Sequence, residues 1–332
     1  MNSKTQVLII INKTAARARR AWAPVKALLA EGAVRFDVYE TRHAGDATEQ
    51  TRLALRGGYR TIAVLGGDGT LSEAAAGFFD EPAESGETFA APAPVGEGAV
   101  LALLPAGTGD DFARGLTAGR ESVESWAQRL VAYYHGDGHE RTRLVDVICG
   151  WAQADEHARR FICLNAATIG IGAEVASRVL SQKGLVRRLP GEARFVQAAL
   201  GALAGWRERP ITVSIDGDGL GRLIESTSNL IAVANGTYAG GGMMFAPGAR
   251  LDDGKFDVVL AAGGLTRRMI LRELPRIRRG AHLSNPKVRV IRATRLHVKT
   301  PTDALLVEAD GNVRGSTPAT FRIIPGALRV LA

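Results

Sequence analysis

A short apolar run that empties into a turn almost bare of side chains, followed by a helix-prone stretch, constrains this chain more than any other feature. It occurs as AVLGGDGTLSEAAAG, Ala63 to Gly77, and again as LLPAGTGDDFARG, Leu103 to Gly115. Apolar runs of this length fit strands buried on both faces, and such strands imply a parallel sheet covered by helices. The flanking sequence keeps the same rhythm: VLIII, a helix from about Ala15 to Ala30, VRFDVYE, a helix near Ala47 to Leu55, TIAVLG, a helix from Leu71, and VLALLPAG. We therefore expect an α/β protein whose N-terminal part is a doubly wound parallel-sheet domain of the nucleotide-binding type.

After Asp146 the pattern changes to strand-like segments joined by glycine clusters, among them FICLNAATIGIG, ITVSIDGDG, SNLIAVANG, FDVVLAAG, KVRVIRA, RLHVKT and ALLVEADG. These predict a mainly antiparallel, β-rich second domain with a helical interruption around Glu192 to Arg209. A chain of 332 residues exceeds what one core usually serves, so we place domains at 1–143 and 144–321. The stretch from Phe79 to Ala99, rich in Pro, Gly, Ala and Glu, has no periodicity and is expected to be a surface insertion. Cys149 and Cys163 cannot build a disulfide framework and lack zinc-type spacing, which suits a reducing, cytoplasmic setting. The apolar core of the N-terminus, Val7 to Ile11, is too short for a signal peptide, and no later run approaches membrane-spanning length, so a soluble chain is expected. A formal charge of +8 favours a polyanionic partner without choosing one.

At the end of a parallel strand, glycines let the backbone approach a phosphate while a helix N-terminus offers N–H groups and a positive dipole. Gly66, Gly67 and Gly69 occupy such a place. Thr70 is suited to donating to a phosphate oxygen, and equally to capping the helix through a T-x-x-E box with Glu73. Asp68 is suited to a ribose hydroxyl, a metal-bound water or a lysine. Thr108 sits in the second turn, with a helix start expected at Asp110 and Asp111, and Asn12, Lys13 and Thr14 form a third polar turn after the first strand. Neither glycine turn satisfies G-x-x-x-x-G-K-[ST] or G-x-G-x-x-G, which argues against Walker-type NTPases and standard dinucleotide dehydrogenases. The six histidines form no ligand-spaced cluster. Met243 and Met244 are expected in the core. The run Arg267 to Gly280 spaces Ile270, Leu271, Leu274 and Ile277 along one helical face with arginines on the other, as in a solvated amphipathic helix or a membrane-surface one.

These blocks together resemble the diacylglycerol/sphingosine lipid kinase family in its soluble bacterial form. GGDGT with Glu73, PAGTGDDFA from Pro105 to Ala113, LNAATIGIGAEV, and the segment from Asn235 to Val259 each resemble a family motif, and the likeness runs from the first strand to about Gly311. The resemblance implies ATP with magnesium (Mg2+), and transfer of the γ-phosphoryl group of ATP to a lipid hydroxyl, as in diacylglycerol, in a cleft between the domains. It places nucleotide contacts on Asn12, Thr41, Gly66, Gly67, Asp68, Gly69, Thr70, Glu73 and Thr108. It puts a magnesium site on Asp253 with backbone oxygens near Arg250 and Lys255, and proton acceptance on Asp310. It also implies that residues 322–332 return to the first domain, a lipid substrate met by peripheral contact with an anionic membrane surface, no nucleic acid, and a homodimer left open.

The chain departs from the family at three places. NKTAA replaces N-P-x-[SA]-G after the first strand, Asp110 stands where the family has an asparagine, and Asn312 in EADGNV stands at the family's glutamate. Asparagine cannot accept a proton as a carboxylate does. A catalytically silent nucleotide- or lipid-binding protein, suggested by Asn312, stays open as an alternative, as does an NAD- or sugar-kinase-like enzyme using the same GGDGT chemistry on a soluble substrate.

Overall fold

The computed structural model describes residues 6–80, 91–136, 141–155, 157–182, 191–217 and 221–332. The chain divides into two compact units, Met1–Val147 together with Ile324–Ala332, and Ile148–Ile323.

In the first unit, β1 (Val7–Ile11), α1 (Ala16–Glu31), β2 (Phe36–Glu40), α2 (Asp46–Arg56), β3 (Thr61–Gly66), α3 (Asp68–Ala76) and β4 (Val100–Pro105) alternate, and α4 (Asp111–Thr117) and α5 (Val123–Tyr134) follow. The strands lie in the order β2-β1-β3-β4 and every pairing is parallel: Val7 stands opposite both Phe36 and Thr61, and Thr61 opposite Val100. β1 and β3 are buried along their whole length, as helices on both faces require. β2 lies at the edge, and each of its side chains is partly or well exposed. The chain reverses direction across the sheet after β2, so right-handed crossovers put α1 on one face and α2 and α3 on the other. Accordingly α1 packs with α5 and α2 with α3. The reversal leaves the carboxyl ends of β1 and β3 side by side at the topological switch point, where open α/β sheets bind their ligands.

The second unit is built from β5 (Thr142–Ala154), β6 (His157–Cys163), β7 (Ala166–Gly170), α6 (Ile171–Ser181), α7 (Gly191–Gly205), β8 (Arg209–Asp216), β9 (Arg222–Ala234), β10 (Tyr238–Ala239), β11 (Met243–Met244), β12 (Phe256–Ala262), α8 (Arg267–Ile277), β13 (Val288–Ala293), β14 (Arg295–Lys299), β15 (Leu306–Ala309) and β16 (Asn312–Leu331), the first and last of which begin or end in the other unit. Its ladders are antiparallel, with β9 pairing β7, β8 and β12. Alternate residues of these strands, such as Ile169, Val213, Val233, Val258, Leu296 and Phe321, meet in one core. β16 pairs with β15 and β14 over its first half, and its end, Arg329–Leu331, runs parallel to Val100–Ala102 of β4.

Two expectations change. α3 begins at Asp68 rather than Leu71, with Gly67 as N-cap and no side-chain cap, so Thr70 lies inside the first turn and the T-x-x-E box with Glu73 is not formed. The helical interruption comprises α6 as well as α7: the strand-like segment expected to run to Gly172 ends at Gly170, whose φ of 91° breaks the ladder, and α6 begins at Ile171. Residues 81–90 of the predicted insertion lie outside the described residues, as does His139. Both cysteines are buried free thiols. Among the described residues no helix is long and apolar enough to cross a membrane.

Candidate functional site

The carboxyl ends of β1, β3 and β4 bring their turns together. Gly67 and Gly107 touch through their backbones: a Cβ on Gly107 would lie 2.6 Å from the Gly67 Cα and 2.7 Å from Asp110 Oδ1, and one on Gly67 would lie 3.1 Å from the Gly107 Cα. Glycine is therefore required at both by close approach, although Gly67 itself is in extended backbone. A Cβ on Gly66 would strike the Thr70 side chain at 2.9 Å. Gly69 differs, since a Cβ there would meet nothing within 4 Å. Asn12 reaches across from β1 to donate its amide to Thr70 Oγ1 at 3.2 Å, while its Oδ1 accepts from the Thr14 hydroxyl at 2.6 Å. Thr41 follows β2 and donates its N–H to the Ile11 carbonyl at 2.9 Å. Glu73 stands on α3, its carbonyl accepting from the Thr48 hydroxyl at 2.7 Å, and Thr108 is exposed at the tip of the second turn. A cavity of about 10 Å³ lies between Gly66, Asp68, Pro105 and Asp110, room for about one water. A larger ligand has to lie over the turns.

Three carboxylates surround this place. The Asp68 carboxylate accepts the Phe112 N–H at 3.2 Å, at the start of α4, and burial, with Asp111 and Asp110 nearby, pushes its pKa up to about 7. Asp110 adopts the left-handed conformation, φ 51°, and accepts the Gly107 N–H at 2.7 Å. Two arginines hold the same turn, Arg17 from α1 at 2.8 Å from the Gly107 carbonyl and Arg120 at 2.8 Å from that of Thr108. Neither arginine was singled out from the sequence, because both are met through tertiary approach and no local spacing signals them.

In the second unit, Asp310 and Gly311 form the two-residue turn between β15 and β16, with φ of 48° and 84°. EADGNV is thus a hairpin, as the D-G pair suggests, yet the aspartate does more than turn the chain. Its Oδ2 accepts the Leu164 N–H at 2.7 Å, and its Oδ1 accepts those of Asn165 at 3.0 Å and Ala166 at 3.2 Å, with the Cys163 thiol at 3.5 Å. Asn312 is half-buried and donates weakly to the Asp310 carbonyl at 3.4 Å. Glu308, which sequence reasoning left unassigned, is buried on β15 between the Thr168 hydroxyl, at 2.7 Å, and the Gly311 N–H; burial pushes its pKa up to about 7.

The loop before β12 carries the expected cation residues. Asp253 Oδ1 accepts the Lys255 N–H at 3.0 Å and its other oxygen takes the Arg292 guanidinium. Arg292 also lies 3.8 Å from Asp257, whose pKa burial raises. The Arg250 side chain turns instead to Asp252, at 3.5 Å. One carboxylate with main-chain oxygens is a donor set of the kind magnesium takes, and a cation there would share Asp253 with Arg292. Among the described residues no group of three or more His, Cys, Asp or Glu has metal-site geometry. Met243 packs in a small core with Phe245 and Phe195, and His282 is buried against the Phe245 carbonyl at 3.1 Å.

Residues 6–136 match the profile of the diacylglycerol kinase catalytic domain, and residues 165–332 that of the YegS C-terminal NAD kinase beta sandwich-like domain. The chain is 30% identical over 288 residues to a diacylglycerol kinase of Mycobacterium tuberculosis (strain ATCC 25618 / H37Rv), covering 87% of this chain and 82% of the relative. It is 29% identical over 301 residues to a protein named probable lipid kinase YegS-like from Pseudomonas fluorescens (strain Pf0-1), covering 87% and 81%. In fold it is similar to a crystal structure described as a diacylglycerol kinase from Bacillus anthracis str. Sterne, with a TM-score of 0.65 at 20% identity over 98% of this chain and 96% of that one. Yeast NADH kinase complexed with NADH is also similar in fold, with a TM-score of 0.54 at 10% identity over 99% and 83%.

Proposed function

Since the chain belongs to the diacylglycerol kinase family of lipid kinases, we propose that it transfers the γ-phosphoryl group of ATP to a hydroxyl of a lipid such as diacylglycerol. The observation that carries the nucleotide half is the pair of glycine turns packed against each other at the ends of β3 and β4. The N–H groups that precede the first intrahelical bond of α3, from Leu71 to Gly67, are those a helix start presents to phosphate oxygens. Gly69 keeps the approach to them open. Asn12 and Thr41 border the same place and Thr108 stands over the second turn, positions suited to fixing the nucleotide.

Phosphoryl transfer leaves the protein little covalent work, so positioning and charge stabilisation dominate. Magnesium carried with the nucleotide would supply charge neutralisation at the phosphates. The Asp310 carboxylate is our choice for the group that takes the proton of the lipid hydroxyl, because its four donors fix its orientation, and a fixed carboxylate is what proton acceptance requires. Membrane contact is assigned to α8: it fully buries no residue, and Arg267, Arg268 and Arg272 are exposed on it, an arrangement that attracts anionic lipid.

Incubation with labelled ATP and a total lipid extract tests this reading. A labelled lipid, formed by wild type and not by Gly67→Val, supports it. Label appearing only on soluble acceptors favours a nicotinamide- or sugar-kinase-like enzyme, and no label at all with Mg-ATP still bound favours a silent binding protein.

A further inference from the structure

Arg17 donates to the Gly107 carbonyl of the second glycine turn and Arg114 to that of Gly109, and a third arginine also meets a carboxylate of the turn. Arg120, beyond the end of α4, donates through Nη2 to the Thr108 carbonyl at 2.8 Å, to the Gly107 carbonyl at 3.4 Å and to Asp110 Oδ2 at 3.1 Å. From inside, Asp110 Oδ1 accepts the Gly107 N–H at 2.7 Å. The carboxylate and the guanidinium thus close one ring around residues 107–110, and the left-handed Asp110, φ 51°, aims the carboxylate at both partners.

Stability does not account for this ring. The Arg120 side chain is 46% exposed, and exposed ion pairs contribute about 0–1 kcal/mol. Charge gives it a purpose. Asp68, Asp110 and Asp111 are close enough that the latter two raise the pKa of Asp68, so a polyphosphate arriving over the turns meets negative charge of its own sign. Arg120 offsets one of these charges while its Nη2 reaches the carboxylate and two carbonyls together, and the guanidinium stays charged at every working pH.

We propose that Arg120 is a positioning residue for nucleotide binding, holding the Gly107–Asp110 turn in the shape that receives the phosphates and masking the Asp110 carboxylate from them. The proposal rests on the nucleotide reading of the two turns.

The test measures Mg-ATP binding by calorimetry, together with KM for ATP and kcat, for wild type, Arg120→Ala, Arg120→Lys, Asp110→Asn and the double variant Arg120→Ala/Asp110→Asn. Arg120→Ala is expected to weaken Mg-ATP binding roughly tenfold and to raise KM in parallel, with kcat changed less than about threefold and the thermal midpoint without ligand almost unmoved. In the Asp110→Asn background the same substitution should lose no more than about threefold, since no charge is left to mask, and Arg120→Lys should fall between wild type and Arg120→Ala. Equal affinity in wild type and Arg120→Ala, or the same tenfold loss in both backgrounds, overturns the proposal. A wild type that binds no Mg-ATP overturns the nucleotide reading itself and with it the masking role. The turn-holding role is then decided separately by hydrogen exchange at the Gly107 amide, which is expected to be faster in Arg120→Ala; an unchanged rate overturns that half as well.

Discussion

Gly69→Ala should stabilise the protein and impair its ligand binding, opposite effects from one methyl group. Gly69 is the second residue of α3, a helix of nine residues, and its added Cβ would meet no protein atom within 4 Å. Nothing in the fold therefore asks for glycine here, unlike Gly67 and Gly107, whose backbones touch. Alanine in a helix is favoured over glycine by about 0.5–1 kcal/mol through lost freedom of the unfolded chain. At the first turn the lower figure applies, and for a unit of this size about 0.5 kcal/mol raises the thermal midpoint by about 1–2 °C. If the open space above Gly69 is where phosphate oxygens approach the α3 N–H groups, the new methyl occupies it, and a tenfold to hundredfold loss of affinity is expected, about 1.4–2.8 kcal/mol. Mg-ATP at 100 times its Kd stabilises the native state by about 2.7 kcal/mol, so at the same concentration about half of that ligand-induced shift should vanish for a tenfold loss and most of it for a hundredfold one. Thermal unfolding with and without Mg-ATP reads both effects in one assay. A variant that gains stability and keeps the full Mg-ATP shift would refute the assignment of Gly69 to the phosphates.

Asp310→Asn replaces an acceptor-only group that faces three backbone N–H donors with an amide whose NH2 meets donors instead of acceptors, so we expect about 1–3 kcal/mol of lost stability and turnover lower by about two to four orders of magnitude; denaturant unfolding and lipid phosphorylation check the two separately, with Mg-ATP binding retained. Glu308 has a folded pKa of about 7 against an ordinary 4.5, so the native state binds the extra proton and its stabilising contribution, full below about pH 4.5, is lost as pH rises toward 7. Glu308→Gln should flatten that part of the stability–pH curve, whose upper bound is about 3 kcal/mol at 1.36 kcal/mol per unit; an unchanged curve would remove Glu308 as its source. Replacing Arg267, Arg268 and Arg272 by Glu should abolish cosedimentation with anionic vesicles, which added salt should also weaken in wild type at about 1 kcal/mol per arginine; retention equal to wild type would remove α8 as the contact.

The sequence by itself determined the strands and the places where they end. Apolar runs such as VLIII and TIAVLG admit little but a buried strand, and the glycines after Leu65 and Ala106 mark where side chains must give way to backbone approach. These signals are local, and they sufficed to read the α/β first half, the β-rich second half and both glycine turns. α3 starts three residues earlier than the apolar run from Leu71 suggests, with Asp68 in its first turn, where an acidic side chain suits the helix dipole; the two glycines of the turn mask that start in the sequence. Arg17 and Arg120 were illegible for another reason: each holds a turn that folding brings to it, across 90 positions for Arg17 and Gly107. The D-G pair at Asp310 was legible as a hairpin, whereas the cradle of Leu164, Asn165 and Ala166 N–H groups around its carboxylate, bonds that join residues 144 to 146 positions apart, depends on β15 pairing with β7. Tertiary structure alone decided which glycine is held by close packing and which stands open, and which carboxyl group is pushed toward neutral pH, because steric contact and burial belong to neighbours in space rather than in sequence.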